Sequence, residues 1–292
     1  MSRVERGKAT ERLAVPEPQF EPQIQESKFP KVFSANRLKL LATALLSLRL
    51  LCELMLSEGA VRGIGMIGAM AGPLFMFVAA ESFRNTANHG RYLLRLLLAS
   101  WVTGFLSLVL TSIFDEGREV LRTNNYFGTV FVLGICILAW ENLREGLRLE
   151  FAKRVVRALL LAVIPLLNLI FILLAIGGEA ETTRENIYLW LIAGLFSLIP
   201  SLILVNSGPV LVLIGLMYYI FPHRGRILFG VFLCVGALLA IFSEPAEGII
   251  GLAAVPIALY NGECGRNMEI FFYVGYPLLV LLLFLIVKWM PL

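Results

Sequence analysis

The sequence predicts an all-α fold, a polytopic integral membrane bundle of about ten transmembrane helices, with nine as the alternative. Three observations predict it. The chain is 58% hydrophobic and only 16% charged, and its mean hydropathy is +0.81, too apolar for a soluble chain of 292 residues. Its apolar runs reach the ~20 residues that cross a bilayer core. Runs such as LLVLLLFLIV near the carboxyl end do not alternate, which excludes the ~10-residue alternating strands of a membrane barrel.

Residues 1–36 form a separate region. They are polar and carry Pro16, Pro18, Pro22 and Pro30 among Glu, Gln, Lys and Arg. Such a segment buries too little apolar surface to offset its ordering entropy, so a disordered cytoplasmic tail is expected there. No apolar core precedes Leu38, which argues against a cleaved leader. Residues 37–292 make up the membrane domain. Its expected spans are 38–56, 64–83, 92–113, 126–141, 155–177, 187–205, 209–221, 227–243, 247–260 and 269–289.

Lysine and arginine set the orientation in the cell membrane. The basic tail puts the amino terminus in the cytoplasm, together with the loops holding Arg84 and Arg91 and those holding Arg144, Arg148, Lys153 and Arg154. The loop at 178–186, with Glu179, Glu181 and Glu185, falls outside. The basic loop Pro222–Arg226 then faces outward against the bias. If Asn206-Ser207-Gly208-Pro209 is a re-entrant break, the count becomes nine and the charge pattern improves.

The net charge of +4 is mild and its basic residues sit in connections, so lipid is the expected partner and nucleic acid is not. The four cysteines, at 52, 136, 234 and 264, form no CxxC or Cys/His cluster. No metal site is expected, and the cysteines read as small packing residues.

The stretch Gly72–Arg95 carries the chemistry. Glu81 lies inside an apolar span, where a carboxylate is expensive unless it is paired or functional. It reads either as a base in a pocket or as an interfacial partner of Arg84 or Arg95. Arg49 and Glu53 lie four apart on one helix face, which reads as an ion pair or as an anion-binding arginine. Asn125 and Thr129 read as cavity-lining groups or as interhelical hydrogen-bonding groups. Tyr260-Asn261-Gly262 has the form of a turn after a span.

Three blocks of the chain stand out together. The first is Ile67-Gly68, Gly72-Pro73-Leu74-Phe75-Met76-Phe77, Glu81, Phe83, Asn85-Thr86, Tyr92 and Arg95. The second is Asn125-Tyr126-Phe127-Gly128-Thr129 with Leu133-Gly134. The third spans Ala253 to Pro277 and includes Tyr260-Asn261-Gly262, Phe272-Tyr273, Gly275 and Tyr276. Together these blocks resemble the TraX family of membrane acetyltransferases, named for the conjugation protein that acetylates the amino terminus of pilin. The resemblance implies transfer of an acetyl or similar group from acetyl-CoA or another acyl-CoA to a protein amino terminus, such as a pilin, or to a small molecule. It implies Glu81 and Arg95 as catalytic candidates. It also implies Arg49, Arg84, Thr86, Asn125, Thr129, Asn261 and Tyr276 as substrate-binding candidates.

This chain departs from the family where proton transfer would be done. Arg49-Leu50 stands at the usual Asp-His pair of the first span, and Leu279 stands at the histidine after Tyr276-Pro277. The two histidines present, His89 and His223, fall in expected loops. A non-catalytic membrane protein, either a small-solute transporter or a scaffold, is therefore the alternative.

Overall fold

A computed structural model describes residues 32–55, 67–114, 125–167, 199–202, 208–221, 235–236, 249–263, 265 and 269–289. It is all-α: among the described residues helix dominates and there is no strand. The helices are α1 (Ala35–Met55), α2 (Ala71–Arg84), α3 (His89–Phe114), α4 (Tyr126–Arg148), α5 (Ala152–Val163), α6 (Gly208–Ile220), α7 (Ala254–Ala258) and α8 (Glu269–Trp289). Short 3₁₀ turns follow α5 at Ile164–Leu166 and precede α7 at Ile249–Ala253. By length and composition one described helix, α4, is long and apolar enough to cross a membrane. Its 23 residues extend about 35 Å.

Local chemistry explains the helix ends. The first four N–H groups of a helix have no partner within it, so side chains or the preceding loop must supply acceptors. Asn88 does this for α3, its Oδ1 accepting the Arg91 N–H at 3.0 Å. Asn125 does it for α4, accepting the Gly128 N–H at 3.2 Å. Pro73 sits in the first turn of α2, where its missing N–H leaves no gap. Arg84 closes α2 where a cation complements the helix dipole.

Nearly all of α2 is buried, from Ala71 to Leu74, Met76 to Ala80, and Phe83, which makes it the axis of the bundle. It packs against α1, α4 and α6. α1 presents Leu38, Ala42, Leu46 and Leu50, buried at four-residue intervals. Close approach at the crossing depends on Gly68, where a Cβ would fall on the Cβ of Arg49 and 2.9 Å from the Leu45 carbonyl oxygen. α3 packs on α4 and α8, and α8 packs on α1. The contacts therefore close a ring in the order α1, α2, α4, α3, α8.

Helix directions follow from paired contacts. α6 runs parallel to α2: Leu211 meets Gly72, Gly215 meets Met76, and the Tyr219 carbonyl receives Arg84. α8 starts at the same end as α1, with Lys39 over the Phe272 ring and Gly265 against Ser34.

Four expectations meet a different outcome or fall outside the description. The segment 142–154, read as a loop, is the last turns of α4 and the start of α5, joined by a tight turn with Glu150 at positive φ. Gly146 permits that turn, since a Cβ there would lie 2.9 Å from the Val155 backbone nitrogen. Within 247–260 the described residues wind a 3₁₀ turn, Ile249–Ala253, that runs directly into the five residues of α7, and the helix stops at Ala258, short of a membrane span. Residues 32–36, assigned to the tail, are held instead: Val32 and Phe33 donate to the Leu259 carbonyl, and Ala35 donates to Glu263. Residues 1–31, most of 187–205 and nearly all of 227–243 lie outside the described residues.

Candidate functional site

The ring of five helices encloses a cavity of about 710 Å³. Each helix contributes one face, as its spacing dictates. α1 contributes Asn36, Lys39 and Thr43; the end of α2 and its turn contribute Ser82, Asn85 and Thr86; α3 contributes Tyr92, Arg95 and Leu96. α4 adds Tyr126, Phe127 and Val130, and α8 adds Phe272, Tyr273, Tyr276 and Leu279. Lys39 and Arg95 are the charged groups among the described lining residues.

An aromatic floor shapes the cavity. Phe127 stacks on Tyr273 at 5.6 Å and meets Tyr276 edge-on at 5.4 Å, while Phe75 lies 5.1 Å from Tyr126. The Lys39 ammonium rests 5.4 Å from the Phe272 ring centre, which fixes its long side chain over an apolar surface. Mostly apolar walls with a few convergent polar groups are the usual form of a small-molecule site.

Of the residues singled out from sequence, Arg95, Thr86 and Tyr276 meet at this cavity. Glu81 does not line it. Its carboxylate pairs with Arg84, which also donates to the Tyr219 carbonyl at 3.0 Å and lies 5.2 Å from the Tyr219 ring centre. The Tyr219 hydroxyl in turn donates to Glu141. Glu81 and Arg84 therefore belong to a polar cluster that ties α2 to α6 and α4.

Asn125 and Thr129 serve the contact between α3 and α4. The Asn125 amide donates to the Ser100 carbonyl and to its hydroxyl, each at 3.0 Å, and the fully buried Thr129 donates back to the Asn125 carbonyl at 3.4 Å. Asn261 builds a turn: its Oδ1 accepts the Glu263 N–H at 2.9 Å, and its own N–H donates to Phe33, beside Gly262 at φ 83°. Arg49 is half-buried on α1 against Gly68, and the side chain of its neighbour Glu53 lies outside the described residues. His89, expected in a solvated loop, opens α3 and stacks on Phe83 at 4.3 Å.

Sequence reasoning missed Lys39, Tyr92, Tyr126 and Tyr273 as site residues, although the last three lie inside the quoted blocks. The available signal was spacing: Asn36, Lys39 and Thr43 fall on one face of α1. Among the described residues no group of His, Cys, Asp and Glu has metal-binding geometry. Cys136 is partly buried and Cys52 buried, as small packing residues would be. Comparison with known protein families, with curated proteins and with solved structures finds no match.

Proposed function

We propose that this chain is a polytopic membrane protein that transfers an acetyl or similar acyl group from acyl-CoA to an acceptor bound in the central cavity. One observation carries the reading. The three separated blocks that resemble the TraX family send residues to the same cavity: Phe75, Thr86, Tyr92 and Arg95 from the first, Tyr126 and Phe127 from the second, Phe272, Tyr273 and Tyr276 from the third. In the proposed reaction an acceptor amine attacks the thioester carbonyl, Arg95 and Lys39 stabilise the oxyanion, and coenzyme A leaves as the thiolate, which takes up the amine proton. The acceptor is a protein amino terminus, such as that of a pilin, or a small molecule.

The membrane part of the proposal is supported by the surface. α3 exposes Leu94, Leu98, Trp101, Val102 and Phe105 in one stripe, and α8 exposes Val274, Leu278, Leu282, Leu285 and Ile286 in another. Contiguous apolar surface of this extent belongs against lipid. Helix direction supports nine crossings over ten. Starting from a cytoplasmic amino terminus, a final helix parallel to α1 requires an odd number. The parallel run of α6 with α2 ends α6 on the same side as Arg84, the side that the charge rule assigns to the cytoplasm.

A second reading has its own support: the described lining holds no Asp, Glu, His or Cys to act as a base. On that reading the cavity binds an anion without chemistry. Release of thiol from acetyl-CoA by purified protein, with and without an amino-terminal peptide acceptor, separates the two. The transfer reading expects acceptor-dependent release that falls at least about tenfold in Arg95→Ala, the loss of one charge-assisted contact. Release indistinguishable from a protein-free control, with coenzyme A still bound, would establish the second reading.

A further inference from the structure

The cavity is polar at one end and apolar at the other. Lys39, Asn85, Thr86 and Arg95 lie where α1 and α3 begin and α2 ends, the end that the charge rule puts at the cytoplasmic headgroups. Along α8 the lining runs from Phe272 to Leu282, about 15 Å of helix, and turns wholly apolar at Leu278, Leu279 and Leu282. The arc of α8 that faces the cavity overlaps the arc that faces lipid. Leu278, 52% exposed, and Leu282, 47% exposed, belong to both, in register with Val274 and Leu285 on the outer stripe. The cavity thus meets the exposed apolar stripe of α8 at that edge, with its cations at the opposite, polar end.

From this gradient and this side opening we infer that the cavity binds a single-chain amphiphile with an anionic headgroup, taken up sideways from the inner leaflet. The phosphate or carboxylate of the headgroup sits with Lys39 and Arg95, and the chain lies along Leu279 and Leu282. A soluble anion would use the cations and leave the apolar length of the cavity unfilled. A neutral lipid would fill that length but gain no charge attraction from Lys39 and Arg95. The inference rests on the membrane part of the proposed function; as a binding site it stands without turnover.

The test uses the full chain in phosphatidylcholine nanodiscs and a lysophosphatidic acid bearing a photoactivatable group in its chain, with cross-links mapped by mass spectrometry. Labelling concentrated in residues 272–282, competed by unlabelled lysophosphatidic acid but not by inorganic phosphate or monoacylglycerol, is the expected result. Lys39→Ala and Arg95→Ala each lower it by about tenfold, the loss of one charge-assisted contact. Lys39→Arg and Arg95→Lys restore most of it, which separates charge from misfolding. Labelling spread evenly over the outer stripes of α3 and α8 and unchanged in these variants overturns the inference. So does equal competition by phosphate or by monoacylglycerol. Thiol release from acetyl-CoA on a soluble peptide is measured alongside. Release with even labelling removes the amphiphile site alone, and focused labelling without release removes the transfer reading alone.

Discussion

Replacing Arg84 by Met tests whether the Glu81 carboxylate is a structural partner or a reactive group. The guanidinium makes an ion pair with Glu81, a hydrogen bond of 3.0 Å to the Tyr219 carbonyl, and a face contact with the Tyr219 ring at 5.2 Å. Its side chain is 29% exposed and that of Glu81 18%, so solvent screens the pair only in part. A hydrogen bond to a charged group contributes about 1.5–3 kcal/mol, a neutral acceptor about 1, and a partly exposed cation–π contact about 0.5–1. Shared geometry makes these less than additive, and Met keeps the apolar stem, so the expected loss is about 3 kcal/mol. Arg84→Met also leaves the Glu81 charge without this cation, which Glu81→Gln removes. The double variant should therefore regain about 1 kcal/mol over Arg84→Met alone. Reversible urea unfolding in a mild detergent, followed by tryptophan fluorescence, measures all four corners of the cycle. A coupling energy below about 0.5 kcal/mol would refute the pairing as a stabilising contact. The same variants report on chemistry. If the cavity is the reacting site, Glu81→Gln keeps thiol release within about twofold of wild type, whereas loss by a factor of 100 or more, roughly that of removing a general base, restores Glu81 to catalysis.

Three further outcomes follow from the packing. Gly68→Ala drives a methyl into the Arg49 Cβ and the Leu45 carbonyl, neither of which is a flexible chain end, and should lower stability by about 2–3 kcal/mol; a melting temperature unchanged from wild type would show that α1 is free to move away. Asn125→Ala removes the cap of α4 and both bonds to Ser100, with an expected loss of about 2 kcal/mol in the same unfolding assay, while Asn125→Asp keeps the cap and loses only the donors. Nine crossings put the segment after Trp289 on the opposite side of the membrane from the segment before Ala35; fusions of a compartment-sensitive reporter at the two ends should read opposite sides, and a same-side reading would require an even count.

The helices were legible because apolar runs are local. The span 269–289 coincides with α8, and 209–221 differs from α6 by one residue at each end. Boundaries failed where the sequence carries no local stop. At 142–148, Glu and Arg are good helix formers and continue α4 past its apolar part. In 247–260, a run that composition alone reads as continuous winds first as 3₁₀ and stops at Ala258.

The site was half legible, for a different reason. Arg95, Thr86 and Tyr276 stood out because they lie in the blocks that resemble the TraX family, and a resemblance of short blocks is read locally along the chain. Glu81 stood out for the same reason, but its direction was not local. Glu81 is adjacent to Ser82 in the chain, one step of about 100° of helix rotation, and that step takes Ser82 to the cavity and Glu81 to Arg84. The role of Asn125 as a tie to Ser100 depended on a partner on the preceding helix.

By itself, the sequence determined that this chain is helical and apolar, where its main helices lie, and which polar residues an apolar environment makes expensive. Periodicity also settles which residues share a face, because 3.6 residues per turn is a property of the backbone. Only the tertiary structure decided which face looks inward. Closing the ring brings Lys39 of α1 beside Phe272 of α8, a contact between positions far apart in the chain that no local pattern encodes. That closure makes a cavity out of separate helices, gives it two cations, and leaves Glu81 outside its lining.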